Sequence, residues 1–312
     1  MHDTAYEHGR IFFELYWDPA FTQVVELGSQ DVNGSLRDHC PAGARYLGLD
    51  MEPARGVDLV VAPGQPLPLA DASADVALAS SAFEHDTCFW LTFLELLRVL
   101  RPGGLLYINA PSNSSFHRYP LDCWRFYPDA GVALLAWAAR QGVAAELLES
   151  FVAHPGAEGW SDFVAVFRRP SPRPLRSLGR IADRTVAMNI CEEARHARPL
   201  LRHESAETFD MLSAARDRAA LDDARTEAAE AGRRLAAATA ECAAAGERAV
   251  RDAAALRDAE ARVAARQAEL ATASRTCADL EEELRRLRAS TSWRVTAPLR
   301  LAGSLLRPRR AG

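Results

Sequence analysis

A glycine turn between two short apolar runs constrains the fold of this chain more than any other feature. Val24 and Val25 lead into Glu26, Gly28 follows at the turn, and a second apolar run ends in Asp50. Glycine suits such a turn because a Cβ would block a left-handed backbone or the approach of a ligand. The layout predicts the first two strand–helix units of a doubly wound sheet, in which ligands bind at the carboxyl ends of the strands.

Strand and helix signals alternate through the rest of the first half of the chain. The Pro102-Gly103-Gly104 step, for example, separates the end of an apolar helix from another apolar strand. This order predicts an α/β fold, a doubly wound and mostly parallel seven-stranded sheet with helices on both faces, after a helical or irregular lead-in over residues 1–21. The predicted strands are 22–27, 45–49, 57–61, 75–79, 104–109, 144–151 and 162–167, with a helix at about 128–141 before the last two.

The second half of the chain has a different composition. Residues 170–202 are rich in proline and arginine, which predicts a linker followed by a short helix that begins near Asp183. Residues 203–289 carry a single heptad register, which predicts a long α-helical coiled coil. Because many of the core positions are alanines, which bury little apolar surface, part of the segment could instead be a single charged helix. The a positions of that register are Leu221, Ala228, Leu235, Cys242, Ala249, Leu256, Val263, Leu270, Cys277 and Leu284.

Residues 290–312 form a basic tail. This segment holds five arginines, no acidic residue and several large apolar side chains, Trp293 among them. Such a composition is typical of an amphipathic helix that binds a membrane surface or a partner protein, and a frayed basic tail is the alternative.

The overall composition argues against several classes of protein. The net charge of −5 gives no reason to expect a nucleic-acid partner. The six cysteines are scattered without a C-x-x-C pair, so we predict neither a zinc site nor a disulfide framework, and we expect a reducing, cytoplasmic location. No signal peptide is visible near the amino terminus, and no apolar run of about 18 residues predicts a membrane-spanning helix.

The motifs together resemble a known enzyme class. Glu26-Leu27-Gly28, Asp50 and the segment LRVLRPGGLLYI at residues 97–108 resemble class I methyltransferases that use S-adenosylmethionine. The resemblance covers residues 20–168 and implies a Rossmann-like methyltransferase domain over residues 1–169, with an antiparallel final strand. Within this class, the segments ELGSQDVNGSLR and NAPSNSSFHRYPLDCWRFYPD resemble a bacterial type-11-like subgroup associated with surface-polysaccharide assembly.

The resemblance implies a site for S-adenosylmethionine at the ends of the first strands. Asp50 is expected to accept both ribose hydroxyls, and the alternative role for this residue is a helix N-cap. After the third strand many relatives place an Asp that holds the adenine, whereas this chain has Ala62-Pro63, so backbone there would have to substitute. The predicted cofactor-binding residues are Glu26, Gly28, Ser29, Gln30, Asp50, Met51, Ala62, Pro63 and Ser81.

The acceptor is expected to bind at the insert that follows the fifth strand, residues 109–129. Loops of this kind at the end of a rigid sheet usually bind ligands, and the alternative is a self-packed lid in which Asp122 and Arg125 pair with each other. His85 is expected either to act as a base or to shape the donor site. The predicted catalytic residues are His117, Asp122, Asp86 and His85, and the predicted substrate-binding residues are Arg118, Arg125 and Tyr127; no metal site is predicted.

These observations predict a methyltransferase that acts on an oxygen of a glycan or glycolipid intermediate in cell-surface polysaccharide biosynthesis. The coiled coil would associate with itself or with a partner protein, and the tail would contact the inner face of the plasma membrane. Methylation of a quinone or another small lipid is a variant of this hypothesis. The alternative is a non-catalytic scaffold that retains the methyltransferase fold and acts through its coiled coil.

Overall fold

The computed structural model of the chain describes residues 2–113, 115–157, 159–192 and 200–300. The chain divides into two compact units, Met1–Ala219 and Ala220–Gly312. The first unit holds the sheet and the predicted site residues, and the second unit continues the long helix that begins at Phe209. Each unit is described by itself.

The first unit has strands at the seven predicted places, and α-helices enter between them only after the fourth strand. A helix precedes the first strand, and its apolar face is buried, as expected for the lead-in. The elements are α1 (Asp3–Tyr16), β1 (Gln23–Leu27), β2 (Arg45–Asp50), β3 (Leu59–Val60), β4 (Ala74–Ser80), α2 (Phe89–Val99), β5 (Leu100–Asn113), α3 (Ala130–Arg140), β6 (Glu146–Ala153), β7 (Ser161–Arg168), β8 (Ala187–Glu192), β9 (Leu200–Arg202) and the start of α4 (Phe209–Ala289).

The described strands form one mixed sheet in the order β3-β2-β1-β4-β5-β7-β6-β8-β9. Strands β1 to β5 pair in parallel with one another. Strand β7 lies antiparallel between β5 and β6, as the resemblance implies for the final strand of the predicted seven. The carboxyl ends of β1, β2, β4 and β5 therefore meet at one edge of the sheet, where ligands of such folds bind.

The prediction of seven strands is wrong, because β8 and β9 extend the sheet to nine. Both strands fall in residues 170–202, where we expected a linker and a short helix that begins near Asp183. A 3₁₀ turn, Ile181–Asp183, stands at the expected helix start. Strand β8 pairs antiparallel with β6, which would otherwise present an unpaired edge, and this long-range pairing overrides the weak local signal.

The segments between the first four strands contain no α-helix, in contrast to the predicted strand–helix units. A 3₁₀ turn at Leu36–His39 is the one helical element between β1 and β2. Residues 61–73 contain Pro63, Pro66 and Pro68, which cannot donate backbone hydrogen bonds inside a helix. These connections are therefore irregular loops, and helices enter the fold only from α2 onward.

Helices cover both faces of the sheet, as predicted. On one face α1 packs its aromatic side chains, such as Phe12 and Tyr16, against the apolar side chains of β4, β5 and β6. On the other face α2 and α3 pack against the alternate residues of the same strands, among them Phe93 against Phe167. The central strands are thus buried on both sides, which fixes the position of their carboxyl ends.

Helix α4 continues without interruption for 81 residues. All ten predicted a positions of its heptad register are exposed along this helix. A short helix, α5 (Thr291–Val295), follows it. Among the residues described here, no helix combines the length and the apolar content that a membrane crossing requires.

Candidate functional site

The glycine turn after β1 is held against the end of β2. Gly28 has a φ of +80°, and a Cβ on it would lie 2.9 Å from the Cβ of Ala82. The backbone N–H groups of Gly28 and Ser29 both donate to the carbonyl of Leu49, at 2.9 and 3.1 Å. Only glycine fits this turn, because any other residue would combine a strained φ with a steric clash.

Asp50 lies at the carboxyl end of β2 beside this turn. Its Oδ2 accepts the backbone N–H of Gln30 at 3.0 Å, and its Oδ1 accepts the N–H of Met51 at 2.7 Å. Irregular chain, not a helix, follows β2, so the alternative role of Asp50 as a helix N-cap is contradicted. Each carboxylate oxygen retains acceptor capacity, which suits a pair of neighbouring hydroxyls such as those of a ribose.

Glu26 is a buried carboxyl group of β1, with 1% of the residue exposed. The hydroxyl of Tyr46 donates to its Oε2 at 2.7 Å. Burial raises the pKa of Glu26 to about 7, against the smaller opposing effect of the Tyr46 hydrogen bond. Glu26 thus titrates near neutral pH. Its hydrogen-bond partner, Tyr46, belongs to the neighbouring strand β2, so this bond lies within the sheet.

Two buried hydroxyls lie at the ends of neighbouring strands. Ser29 Oγ follows β1 and Ser80 Oγ ends β4, and neither has a hydrogen-bond partner among the described residues. Buried polar atoms are nearly always satisfied, so two such groups at the carboxyl edge fit a site that a polar ligand completes. Ser81, next to this edge, has a φ of +49° and donates its N–H to the carbonyl of Asn109.

The remaining predicted cofactor residues lie at the outer part of the same edge. Met51 is exposed after β2, and Ala62 and Pro63 are exposed after β3. The carbonyl of Ala62 accepts the N–H of Gln65 in a turn. The structure therefore places all nine predicted cofactor residues at the ends of β1 to β4.

The insert after β5 is fixed onto the loop that follows β4. The N–H of Cys123 donates to the carbonyl of Glu84 at 2.7 Å, and the indole of Trp124 donates to the carbonyl of Asp86 at 2.8 Å. Phe126 is buried against the apolar core beneath. These contacts hold the predicted acceptor residues beside residues 84–86.

Asp122 and Arg125 form an ion pair inside the insert. The guanidinium donates to both carboxylate oxygens and also to the carbonyls of Ser115 and Trp124. The hydrogen bonds from Arg125 to the carboxylate lower the pKa of Asp122 to about 2, which makes it a weak base at neutral pH. This pairing is the one expected if the insert were a self-packed lid. Arg125 was expected to face a substrate, but its N–H donors bind groups within the insert instead.

Three other predicted residues have different surroundings. Asp86 accepts the N–H of Cys88 at 2.8 Å and the hydroxyl of Thr92, so both oxygens stabilise the start of α2. The Arg118 guanidinium lies over the ring of Phe116 on the surface. Tyr127 is 61% exposed.

His85 and His117 come together with Glu84, a residue absent from the predicted site. The ligand atoms of these three side chains lie within 4.8 Å of one another. The two imidazole rings are 4.9 Å apart and nearly perpendicular. Burial raises the pKa of Glu84 to about 8 and lowers that of His85. A cluster of potential metal ligands therefore lies where no metal site was predicted. Spacing along the sequence gives no sign of this cluster, because residues 84–85 and His117 are far apart in the chain.

Comparison with known proteins supports a methyltransferase. Residues 32–108 match the methyltransferase domain family. An uncharacterized methyltransferase of Mycobacteroides abscessus is 39% identical over 82 residues, which are 22% of this chain and 32% of that protein. One from Mycobacterium avium is 39% identical over 79 residues, 22% of this chain and 31% of that protein. The chain thus spans about a third of the length of these curated relatives.

Among solved structures, the chain is similar to the Burkholderia thailandensis 1,6-didemethyltoxoflavin-N1-methyltransferase with bound 1,6-didemethyltoxoflavin and S-adenosylhomocysteine. The identity is 14%, the TM-score is 0.41, and the alignment covers 54% of this chain and 79% of that one. The family match begins after the glycine turn and includes Asp50 and His85. The family match and the strand order support a class I methyltransferase fold whose cofactor is S-adenosylmethionine.

Proposed function

We propose that this chain is an S-adenosylmethionine-dependent methyltransferase that methylates an oxygen of a glycan or glycolipid intermediate in cell-surface polysaccharide assembly. The observation that carries the proposal is the arrangement at the ends of β1 and β2. There a glycine turn that has no room for a Cβ lies beside Asp50. Each carboxylate oxygen of Asp50 accepts one backbone N–H and can accept a further hydrogen bond.

The residues at the ends of β1, β2 and β4 would bind the methyl donor. Bound S-adenosylmethionine supplies a methyl carbon activated by a positive sulfonium. Asp50 would hold the ribose, and the buried hydroxyls of Ser29 and Ser80 would complete the wall beside it. The backbone N–H groups of Gly28 and Ser29 already donate to Leu49, so the turn would contribute shape more than hydrogen bonds.

The acceptor would bind between the insert and residues 84–86. Asp122 and Asp86 have their carboxylates engaged within the protein, which leaves His85 and His117 as the predicted catalytic groups able to exchange a proton. The insert also presents exposed aromatic and apolar side chains, which suit the face of a sugar or the chain of a lipid. These are Phe116, Tyr119, Leu121, Trp124 and Tyr127. Both a glycan and a glycolipid acceptor fit these aromatic and apolar side chains. A quinone is the variant of this hypothesis in which the acceptor carries no sugar.

A transfer assay tests the proposal. The full-length protein is incubated with S-adenosylmethionine that carries a labelled methyl group and with lipid-linked saccharides, or with quinones, extracted from a bacterial membrane. We expect label in O-methyl sugars after hydrolysis. The rate of labelling should fall at least tenfold in Asp50→Ala and stay unchanged in Glu52→Ala, which removes an exposed carboxylate of the same loop. Label in quinone, or equal activity of both variants, would contradict the assignment.

We further propose that residues 203–289 associate with a second copy or a partner protein. The support is the row of exposed leucines on α4, such as Leu235 and Leu256, because apolar residues at heptad spacing favour burial against another helix. Mass photometry of the full chain should show an oligomer that Leu256→Asn weakens. Ala254→Asn, at an outward position of the heptad, should leave it intact, and a monomer at every concentration would contradict self-association.

The tail is proposed to contact a membrane surface from the cytoplasmic side. Its described part, up to Arg300, places the guanidinium of Arg300 over the ring of Trp293 at 3.6 Å. An exposed aromatic ring beside arginines suits the interface of an anionic bilayer. The rest of the predicted tail, residues 301–312, lies outside the described residues. Co-sedimentation with anionic vesicles, reduced in Trp293→Ala, would support this contact, and equal sedimentation of both proteins would contradict it.

The alternative, a scaffold without catalysis, rests on the same exposed helix. It predicts oligomerisation or partner binding with no affinity for S-adenosylmethionine, so binding of the donor separates the two hypotheses.

A further inference from the structure

Three side chains with metal-ligand chemistry converge where the insert meets the loop after β4. Glu84 and His85 come from that loop, and His117 comes from the insert. Their ligand atoms all lie within 4.8 Å of one another, and His85 Nε2 is 3.7 Å from Glu84 Oε1. The insert is anchored here by the hydrogen bond from the N–H of Cys123 to the carbonyl of Glu84. The convergence is therefore built into the fold of both segments.

The ring of His85 is oriented toward this cluster. Its Nδ1 bonds the carbonyl of Leu121, and since a carbonyl oxygen can only accept, Nδ1 carries the proton. Nε2 is then the nitrogen with the free lone pair, and it is the one that faces Glu84. A histidine that binds a metal commonly donates its other ring N–H to a backbone carbonyl in this way.

A carboxylate lies behind His117. Asp122 Oδ2 is 3.5 Å from Nδ1 of His117 and accepts the backbone N–H of the same residue at 2.7 Å. Arg125 holds this carboxylate in place. Nδ1 of His117 makes no hydrogen bond within the described residues, so this carboxylate lies near the ring without orienting it; a carboxylate at this place is a common feature of carboxylate–histidine–metal arrangements.

One carboxyl oxygen of Glu84 is buried without a partner in the part of the chain that the structure describes. Only 1% of the residue is exposed, and its Oε2 has no hydrogen-bond partner among the described residues. A buried carboxyl group left unpaired is costly, so such a group is usually paired or coordinates a cation. The orphaned oxygen beside two imidazoles is the independent observation that points to a ligand.

We propose that Glu84, His85 and His117 bind a divalent first-row transition cation. Two imidazoles and one carboxylate suit Zn²⁺, Co²⁺ or Fe²⁺, whereas Mg²⁺ and Ca²⁺ prefer oxygen ligands alone. Ligands of a tetrahedral zinc lie about 3.4 Å apart, so the widest separation in the cluster, at most 4.8 Å, would close by up to about 1.4 Å. The side chain of His117 is 35% exposed, which leaves it room to rotate inward.

Three protein ligands leave at least one coordination position open. An oxygen of the methyl acceptor would fit there, and this use of the cation rests on the proposed function. Binding of the cation itself does not, because none of the three residues is among the nine predicted cofactor-binding residues. The cation would occupy the ring nitrogens of both His85 and His117, so in the metal-bound protein neither ring acts as the general base.

The test is equilibrium dialysis of the full-length protein against Co²⁺ and then Zn²⁺, with metal content measured per chain. We expect one tightly bound ion and a visible Co²⁺ spectrum without a thiolate charge-transfer band. His117→Ala and Glu84→Gln should weaken binding at least tenfold. His154→Ala, which removes an exposed histidine outside the cluster, and Cys123→Ser, which removes the exposed cysteine of the insert, should bind as the wild type does.

Equal binding by the wild type and His117→Ala, loss of binding in Cys123→Ser, or no bound ion in the wild type would overturn the proposal. Far-UV circular dichroism shows whether Glu84→Gln folds, and His117→Ala on the surface insert keeps the test valid if it does not. Calorimetry with S-adenosylmethionine is run on the same samples. A bound metal without donor binding would refute the proposed function alone, and donor binding without a metal would refute this inference alone.

Discussion

The two halves of the carboxyl edge of the sheet are built from different chemical groups. At the ends of β1 and β2 backbone groups make most of the structure, through the bonds from Gly28 and Ser29 to Leu49 and the backbone N–H groups that bind the carboxylates of Asp50 and Asp31. At the ends of β4 and β5 side chains make it, through the Asp122–Arg125 pair and the cluster around Glu84. We call the ends of β1 and β2 the donor half and the ends of β4 and β5 the acceptor half, after the ligands proposed for them above. The donor half depends mainly on backbone shape, and the acceptor half depends on a few paired side chains.

The largest effect is expected from Glu26, which lies beneath the donor half. Its pKa is raised to about 7 by burial, so folding favours the protonated form. The Glu26 contribution to the free energy of unfolding should fall by about 3 kcal/mol as the pH rises from about 4.5 to 7. Glu84, whose pKa burial raises to about 8, lowers the stability over an overlapping range, so Glu26→Gln should make the slope shallower by the Glu26 share, as denaturant titrations at several pH values would show. An unchanged slope in the variant would show that other groups cause the pH dependence.

Gly28 tests whether the turn depends on backbone shape. Gly28→Ala combines a positive φ with a Cβ 2.9 Å from Ala82, so we expect a loss of about 2–3 kcal/mol in the free energy of unfolding. Gly43 offers a matched control, because its φ is +96° and a Cβ there would meet nothing within 4 Å. Gly43→Ala should lose only about 1 kcal/mol. Equal losses in the two variants would mean that the close approach to Ala82 costs nothing.

Arg125 tests whether side chains hold the acceptor half. Arg125→Met leaves the carboxylate of Asp122 without its ion-pair partner, so the insert should open more often. We expect amide hydrogen exchange over residues 115–127 to rise about tenfold, equivalent to about 1.4 kcal/mol, while residues 28–36 stay unchanged. Arg118→Met, which removes a surface guanidinium over Phe116, is the control. Unchanged exchange in the insert would show that the Asp122–Arg125 pair does not stabilise it.

The same difference explains how much could be predicted from the sequence. The glycine turn, Asp50 and most strand positions follow from signals within a few residues, and the sheet has the predicted strands at those places. Strand β8 was missed because pairing with β6 decides its conformation. Glu84 was missed as a site residue because only the folded insert brings His117 beside it. The dipeptide Glu84-His85 was the one available signal, and nothing in its spacing to His117 marks a shared site.

The donor half can be tested most directly by calorimetric titration of the full-length protein with S-adenosylmethionine and with S-adenosylhomocysteine. The proposed function predicts micromolar binding of both ligands by the wild type and by Glu52→Ala, and loss of binding in a folded Asp50→Ala variant. No binding to the folded wild type, or equal binding by Asp50→Ala, would contradict the assignment of a donor site to the ends of β1 and β2.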